Sequence, residues 1–175
     1  MLRFIFFCVV SLGAVFVSAT TKATTLKELQ LGIRTTGYMF DPPHGKTEIA
    51  ILYNPQQPDS DVDARNVQSW LWSEQAMPNV ELVPVLVDVN TLDSARSFRI
   101  GIVTSGLAPQ FDRIFSYSQK HATLTITADL DCVRAGKCAV GVTTSPRMGV
   151  FINHTVTNAC AIDFLAGFRM MVKEL

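Results

Sequence analysis

Charge is scarce in this chain: Asp, Glu, Lys and Arg make up 17% of its residues, against about 25% in an average globular protein. The signs also cancel, with 15 Lys and Arg facing 15 Asp and Glu. No basic excess means no electrostatic footprint for nucleic acid and no polybasic run for an anionic lipid surface. Metal-ligand spacing is missing too, since no CxxC or HxxxH pair occurs. His44, His121 and His154 stand far apart, so no metal is expected. The dinucleotide fingerprint GxGxxG, the phosphate-binding ending GK[ST] and the nucleophile elbow GxSxG are all absent. The nearest approach is GIVTSG (101–106). It is a strand-to-helix turn of the kind where open α/β sheets often bind ligands, but without the fingerprint spacing a tight turn with no ligand is the better reading. Ser105 within it has no nominated base. DSDVD (59–63) starts like a calcium loop, but Ala64 and Trp70 stand where that loop needs Gly and Glu. Acids at a helix start are the better account. No enzyme emerges, and no cofactor is expected.

Long apolar runs are confined to the beginning. Arg3 precedes an apolar stretch over residues 4–17, and Val17-Ser18-Ala19 puts small or tolerated side chains before Thr20. That layout predicts a signal peptide over residues 1–19. The run is shorter than the ~20 apolar residues of a spanning helix. A retained anchor is the alternative, and Cys8 lacks the context of a lipidated cysteine. Losing Arg3 with the leader leaves one net negative charge. The expected product is an exported, soluble domain with no inserted segment, large enough to bury a core.

Cysteine is sparse after the leader: Cys132, Cys138 and Cys160. Cys132 and Cys138 flank a tight loop in which Gly136 can take a positive φ. An oxidising compartment permits a disulfide there. Two free thiols, or half of a metal site, are the competing readings. Cys160 sits among Ala159, Ala161 and Ile162 and reads as a small buried hydrophobe.

The remaining pattern alternates strand and helix. Residues 20–46 form an N-terminal segment, partly helical near 26–33 and otherwise loose, ending in the turn DPPHG (41–45). Strand formers follow over 47–54. Ser60 and Asp63 suggest a capping-box start to an amphipathic helix over 61–75. Trp70 and Trp72 straddle that helix, so at most one is fully buried. A second strand spans 80–89, and Pro84 within it argues for a sheet edge or a bulge. A third strand covers 98–104, and a helix after Pro109 is expected to bury Phe111, Ile114 and Phe115. TLTITA (123–128) alternates with a period of two. A hairpin then joins 139–144 to 148–152 around Ser145-Pro146-Arg147, with Pro146 suited to position i+1 of a type I turn. From Asn153, read as a helix cap, Ala161, Phe164, Leu165, Phe168, Val172 and Leu175 fall on one helical stripe, in a segment that is either one helix or two short ones. The expected fold is α/β: a small Rossmann-like sandwich, mostly parallel, with a C-terminal β-hairpin and helix.

Several of these segments carry a resemblance. FRIGIVT (98–104) matches a strand before a Ser/Gly turn, TLTITAD (123–129) is similar to an "LTVSD" strand, and RMGVFIN (147–153) to an "RVRFEIN" strand. With RAGK (134–137) at the intervening turn, residues 47–175 resemble the YfiR-like (YfiR/HmsC) family of periplasmic regulators. The chain departs at that turn, where only Gly136 remains of a Gly-Gly pair, and at Phe151, where the family carries Glu. A cysteine pair flanking the turn has a counterpart in the family. The resemblance implies a periplasmic protein that restrains an inner-membrane diguanylate cyclase of GGDEF type through its periplasmic sensor domain. Release would raise cyclic di-GMP and favour biofilm. Arg147, Met148, Phe151 and Phe168 are the expected partner-binding residues, and a homodimer is a further possible partner state. The competing expectation is a small periplasmic solute-binding domain, because the strands at 49–54 and 98–106 also suit a binding-protein lobe.

Overall fold

A computed structural model describes residues 23–73, 77 and 79–175. The leader segment 1–19 lies outside them. Helix α1 (Leu26–Thr35) opens on a capping box: the Thr25 hydroxyl accepts from the Glu28 amide, and the Glu28 carboxylate accepts from the Thr25 amide. Its Leu29 and Ile33 are buried. Between them Gly32 lies so close to the sheet that a Cβ there would stand 2.6 Å from Ile126 Cγ2. The segment before residue 46 therefore adds to the same core as the strands that follow.

Strand β1 (Gly45–Tyr53) runs parallel to β2 (Val80–Asp88) on one side and to β3 (Ile100–Val103) on the other. Helix α2 (Pro58–Ser73) connects β1 to β2. Beyond β3 come α3 (Phe111–His121), β4 (Leu124–Thr127), α4 (Leu130–Arg134) and β5 (Val140–Thr143), with β4 and β5 also parallel. β6 (Gly149–Ile152) turns back antiparallel to β5. After α5 (His154–Ala159) and α6 (Ala166–Arg169), β7 (Lys173–Glu174) adds parallel to β6. The sheet order is β2-β1-β3-β4-β5-β6-β7. This is a Rossmann-like α/β sandwich whose sheet is mostly parallel.

Both faces of the sheet are covered, which is why β1, β3 and β4 are nearly continuous in buried residues. One apolar cluster joins Ile49, Ile51, Ile102 and Ile126 to α1 and α2. The other joins Ala50, Leu52 and Val103 to Ile114, Tyr117 and Val133. β2 is an edge strand, as Pro84 implied.

Three local readings need correction, and a fourth is resolved. α2 starts at Pro58, which needs no N–H donor there, so Ser60 and Asp63 lie inside the helix and turn inward instead of capping it. In α3 the buried residues are Ile114, Tyr117 and Ser118, while Phe111 and Phe115 are half-buried. The Ser145–Pro146 peptide is cis, unlike the trans bond of the expected type I turn. The C-terminal segment takes the second of its two expected forms, two short helices, so the stripe is no single helix surface. Ala161 takes φ 53 after α5, and the chain restarts as α6 and ends as a strand. Phe164 and Phe168 are buried, but Ala161, Leu165 and Leu175 are exposed.

Candidate functional site

The path of the chain reverses at β1. It moves outward to β2 and then returns past β1 to β3, so a topological switch point opens between the carboxyl ends of β1 and β3. Ligand crevices of open α/β sheets form at such points. Here it holds a buried polar network. Ser60 Oγ accepts from the Asn54 amide at 3.0 Å and bonds the Thr104 hydroxyl at 2.8 Å. Thr104 Oγ1 also donates to the Leu52 carbonyl at 2.9 Å. Asn54 Oδ1 accepts from the Gln56 amide and from Asn90 Nδ2.

Asp63 is the charged centre of this cluster, 1% exposed. Its Oδ2 accepts from the Ser105 amide at 2.9 Å and from Thr24 Oγ1 at 3.0 Å, and its Oδ1 accepts from the Thr24 amide at 3.1 Å. All three donors are neutral. Ser105 itself is 5% exposed, and its Oγ is buried with no hydrogen-bond partner among the described residues. In the sequence, Ser105 and its turn carry no sign of a link to Asp63 or Thr24. No motif could carry one, because the contacts span 42 and 39 residues.

A second feature is apolar. Residues 38–40 and 163–165 lie side by side, joined by Phe40 N–H to the Asp163 carbonyl and Leu165 N–H to the Tyr38 carbonyl, both 2.9 Å. Between them Met39 and Phe164 pair as an isolated bridge and turn inward. Their neighbours turn outward. Phe40 is 77% exposed, and Tyr38, Leu165, Met170 and Met171 are exposed as well.

The expected partner-binding residues divide. Arg147 and Met148 are exposed at the β5–β6 turn. Phe151 is half-buried, with Lys173 Nζ 5.3 Å from its ring centroid. Phe168 is a correction. It is 6% exposed, stacked on Tyr38 at 4.5 Å and tilted against Phe164, so it supports the apolar corner from below and offers no surface. Trp72 is exposed at the end of α2, while Trp70 packs half-buried against the core.

Cys132 and Cys138 form a disulfide with their Cα atoms 5.3 Å apart, and Gly136 in the loop has φ 70. Both cysteines are fully buried in the cluster with Val103, Ile114 and Tyr117, Cys132 within α4, which starts on the Asp129 cap. Cys160 is a free, buried thiol 3.7 Å from Ser118 Oγ. Burial raises its pKa above the ordinary value, against a smaller opposing effect of that contact. Asn153 is buried and caps α5 through the Val156 amide.

The histidines remain apart. His44 is exposed, His121 lies against Tyr117, and His154 Nε2 meets Glu174 at 2.7 Å. The hydrogen bond from His154, followed by that from Arg169, holds the Glu174 carboxyl below its usual value. Arg96 grips the Glu48 carboxylate with two guanidinium nitrogens and lowers its pKa in the same way. Among the described residues no three His, Cys, Asp or Glu side chains gather as a metal site, and no helix is long and apolar enough to cross a membrane.

No family model and no curated protein matches this sequence. Among solved structures, one described as the ABC domain in complex with L-Trp, from Streptococcus pneumonia, is similar in fold. It superposes with a TM-score of 0.60 at 11% identity, over 84% of this chain and 60% of that one. The chain thus spans less than two thirds of that neighbour's length. At this identity the likeness is one of fold.

Proposed function

We propose that this protein is a periplasmic regulatory binding protein that restrains an inner-membrane diguanylate cyclase by engaging its periplasmic sensor domain. The observation that carries the reading is the apolar corner of exposed Tyr38, Phe40 and Leu165 on the joined segments 38–40 and 163–165, with exposed Met170 and Met171 following soon after in the chain. Large side chains grouped on a surface in this way mark interaction sites more than solvent-facing scaffold. The corner rests on the buried pair Phe164 and Phe168, so it is presented on a firm base and little order need be lost on docking. The leader-like residues 1–19 and the strand motifs at 98–104, 123–129 and 147–153 support the compartment and the partner class. A soluble domain controls a membrane enzyme by binding one state of its sensor more tightly than the other. Docking on this corner would hold the cyclase in its resting state, and release would raise cyclic di-GMP.

The test is co-purification with the periplasmic domain of a membrane GGDEF-type protein encoded next to this chain, and the lack of any such neighbour would count heavily against the reading. The double variant Phe40→Asp with Met170→Asp places two charges on the corner. Binding should fall at least tenfold while the melting temperature stays within a few degrees, because both side chains are already in water. Undiminished binding by that variant would remove the corner from the interface.

A further inference from the structure

The polar network at the switch point is built around a carboxylate that has no cationic partner among the described residues. Asp63 is almost fully buried, and the described residues offer it only neutral donors. Desolvated carboxylates are best satisfied by charged donors. Two of the three donors come from a single residue. Thr24 presents its amide nitrogen to Oδ1 and its hydroxyl to Oδ2, and these two atoms sit on adjacent carbons. The group occupying Asp63 is therefore the backbone-linked form of a vicinal amino alcohol. The Ser105 hydroxyl is buried and unpartnered among the described residues. An unpaired buried hydroxyl is costly to keep, and this one belongs to the residue whose amide already serves Asp63.

We propose that Asp63 and Ser105 form a site for a small free amino alcohol, bearing an ammonium and a hydroxyl on neighbouring carbons, and that Thr24 is its displaceable internal occupant. The ligand's ammonium would take the place of the Thr24 amide at Oδ1 and turn a neutral hydrogen bond into a charge-assisted one. Its hydroxyl would replace Thr24 Oγ1 at Oδ2 and come within reach of Ser105. Thr24 is only half-buried and directly precedes the Thr25 cap. It can swing away while the Thr25–Glu28 capping box keeps α1 closed. Because Thr24 is tethered, it competes at an effective concentration on the order of millimolar. The free ligand succeeds through its charge and the extra Ser105 contact. This site is independent of the apolar corner, so either can fail without the other.

Ethanolamine is the probe, titrated into the full chain while the Ser105 amide is followed by NMR, with ethanediol as the control that lacks the ammonium. Thr24→Val removes one competing donor and should tighten ethanolamine binding about tenfold, the worth of one hydrogen bond. Ser105→Ala should weaken it roughly fivefold and leave the melting temperature equal or higher, since the lost hydroxyl has no partner to abandon. A purely structural Ser105 would not separate these two readouts. Asp63→Asn should abolish the saturable shift. If that variant does not fold, the Thr24→Val and Ser105→Ala pair decides alone. Ethanediol matching ethanolamine in Thr24→Val, or no saturable shift at Ser105 in that variant, would overturn the proposal.

Discussion

Thr123, Thr125 and Thr127 alternate with Leu124 and Ile126 along β4, yet all five are buried. The threonines are tolerated inside because each hydroxyl finds a backbone partner. Thr123 donates to the Phe98 carbonyl, Thr127 donates to the Val103 carbonyl, and Thr125 accepts from the Ala139 amide at 2.8 Å. Thr125→Val keeps the shape and strands that amide, so unfolding in urea should show a loss of about 2 kcal/mol. Cys160 makes a different point. Its buried thiol keeps its proton above the ordinary value of 9.0, whereas the unfolded chain gives it up there. Its contribution to stability is therefore intact below that pH and lost as the pH rises past it. Iodoacetamide at pH 9 should label Cys160 no faster than the protein unfolds, and rapid labelling of the native state would contradict this burial. The period of two at 123–128 announced the strand in the sequence. It could not announce a second covered face, because that depends on what packs above it.

Among the elements, α1 shows how closely a helix can lie on a sheet when the contact residue has no side chain. Gly32→Ala would gain roughly 1 kcal/mol of helix propensity but force Ile126, a stiff β-branched side chain in the core, to move. Overpacking of this kind costs about 1–3 kcal/mol, so a net loss is expected in thermal unfolding, and a more stable variant would show that the sheet yields. The capping pair Thr25 and Glu28 is local, three residues apart, and Ser60 and Asp63 show the same spacing. Those two have capping-box character, but Pro58 starts α2 earlier and turns both toward the switch point. The C-terminal stripe left one helix and two short ones equally open, and the structure has two. Six apolar residues at helical spacing do not forbid a break, and the chain breaks where Ala161 adopts a left-handed conformation.

For the molecule as a whole, the sheet has two edges and they differ. β7 is two residues long, but β2 runs nine residues at the other edge with Pro84 at its middle. A proline on an edge strand withholds a donor from any incoming strand. Pro84→Val should therefore increase self-association, read as concentration-dependent light scattering, with little change in the fold. No change in scattering would mean that something else protects this edge.

Alternation of strand and helix, the edge position of β2 and the cap at Asn153 were legible in the sequence because each rests on neighbours within a few residues. Periodicity, proline and capping chemistry act over that range and leave a pattern there. Tertiary structure alone decided that Thr24, Asp63 and Ser105 meet, that Phe168 is core while Phe40 is surface, and that the polar residues of α2 point inward. Contacts between residues some 40 positions apart leave no spacing to read, since it is the order of strands in the sheet that brings them together.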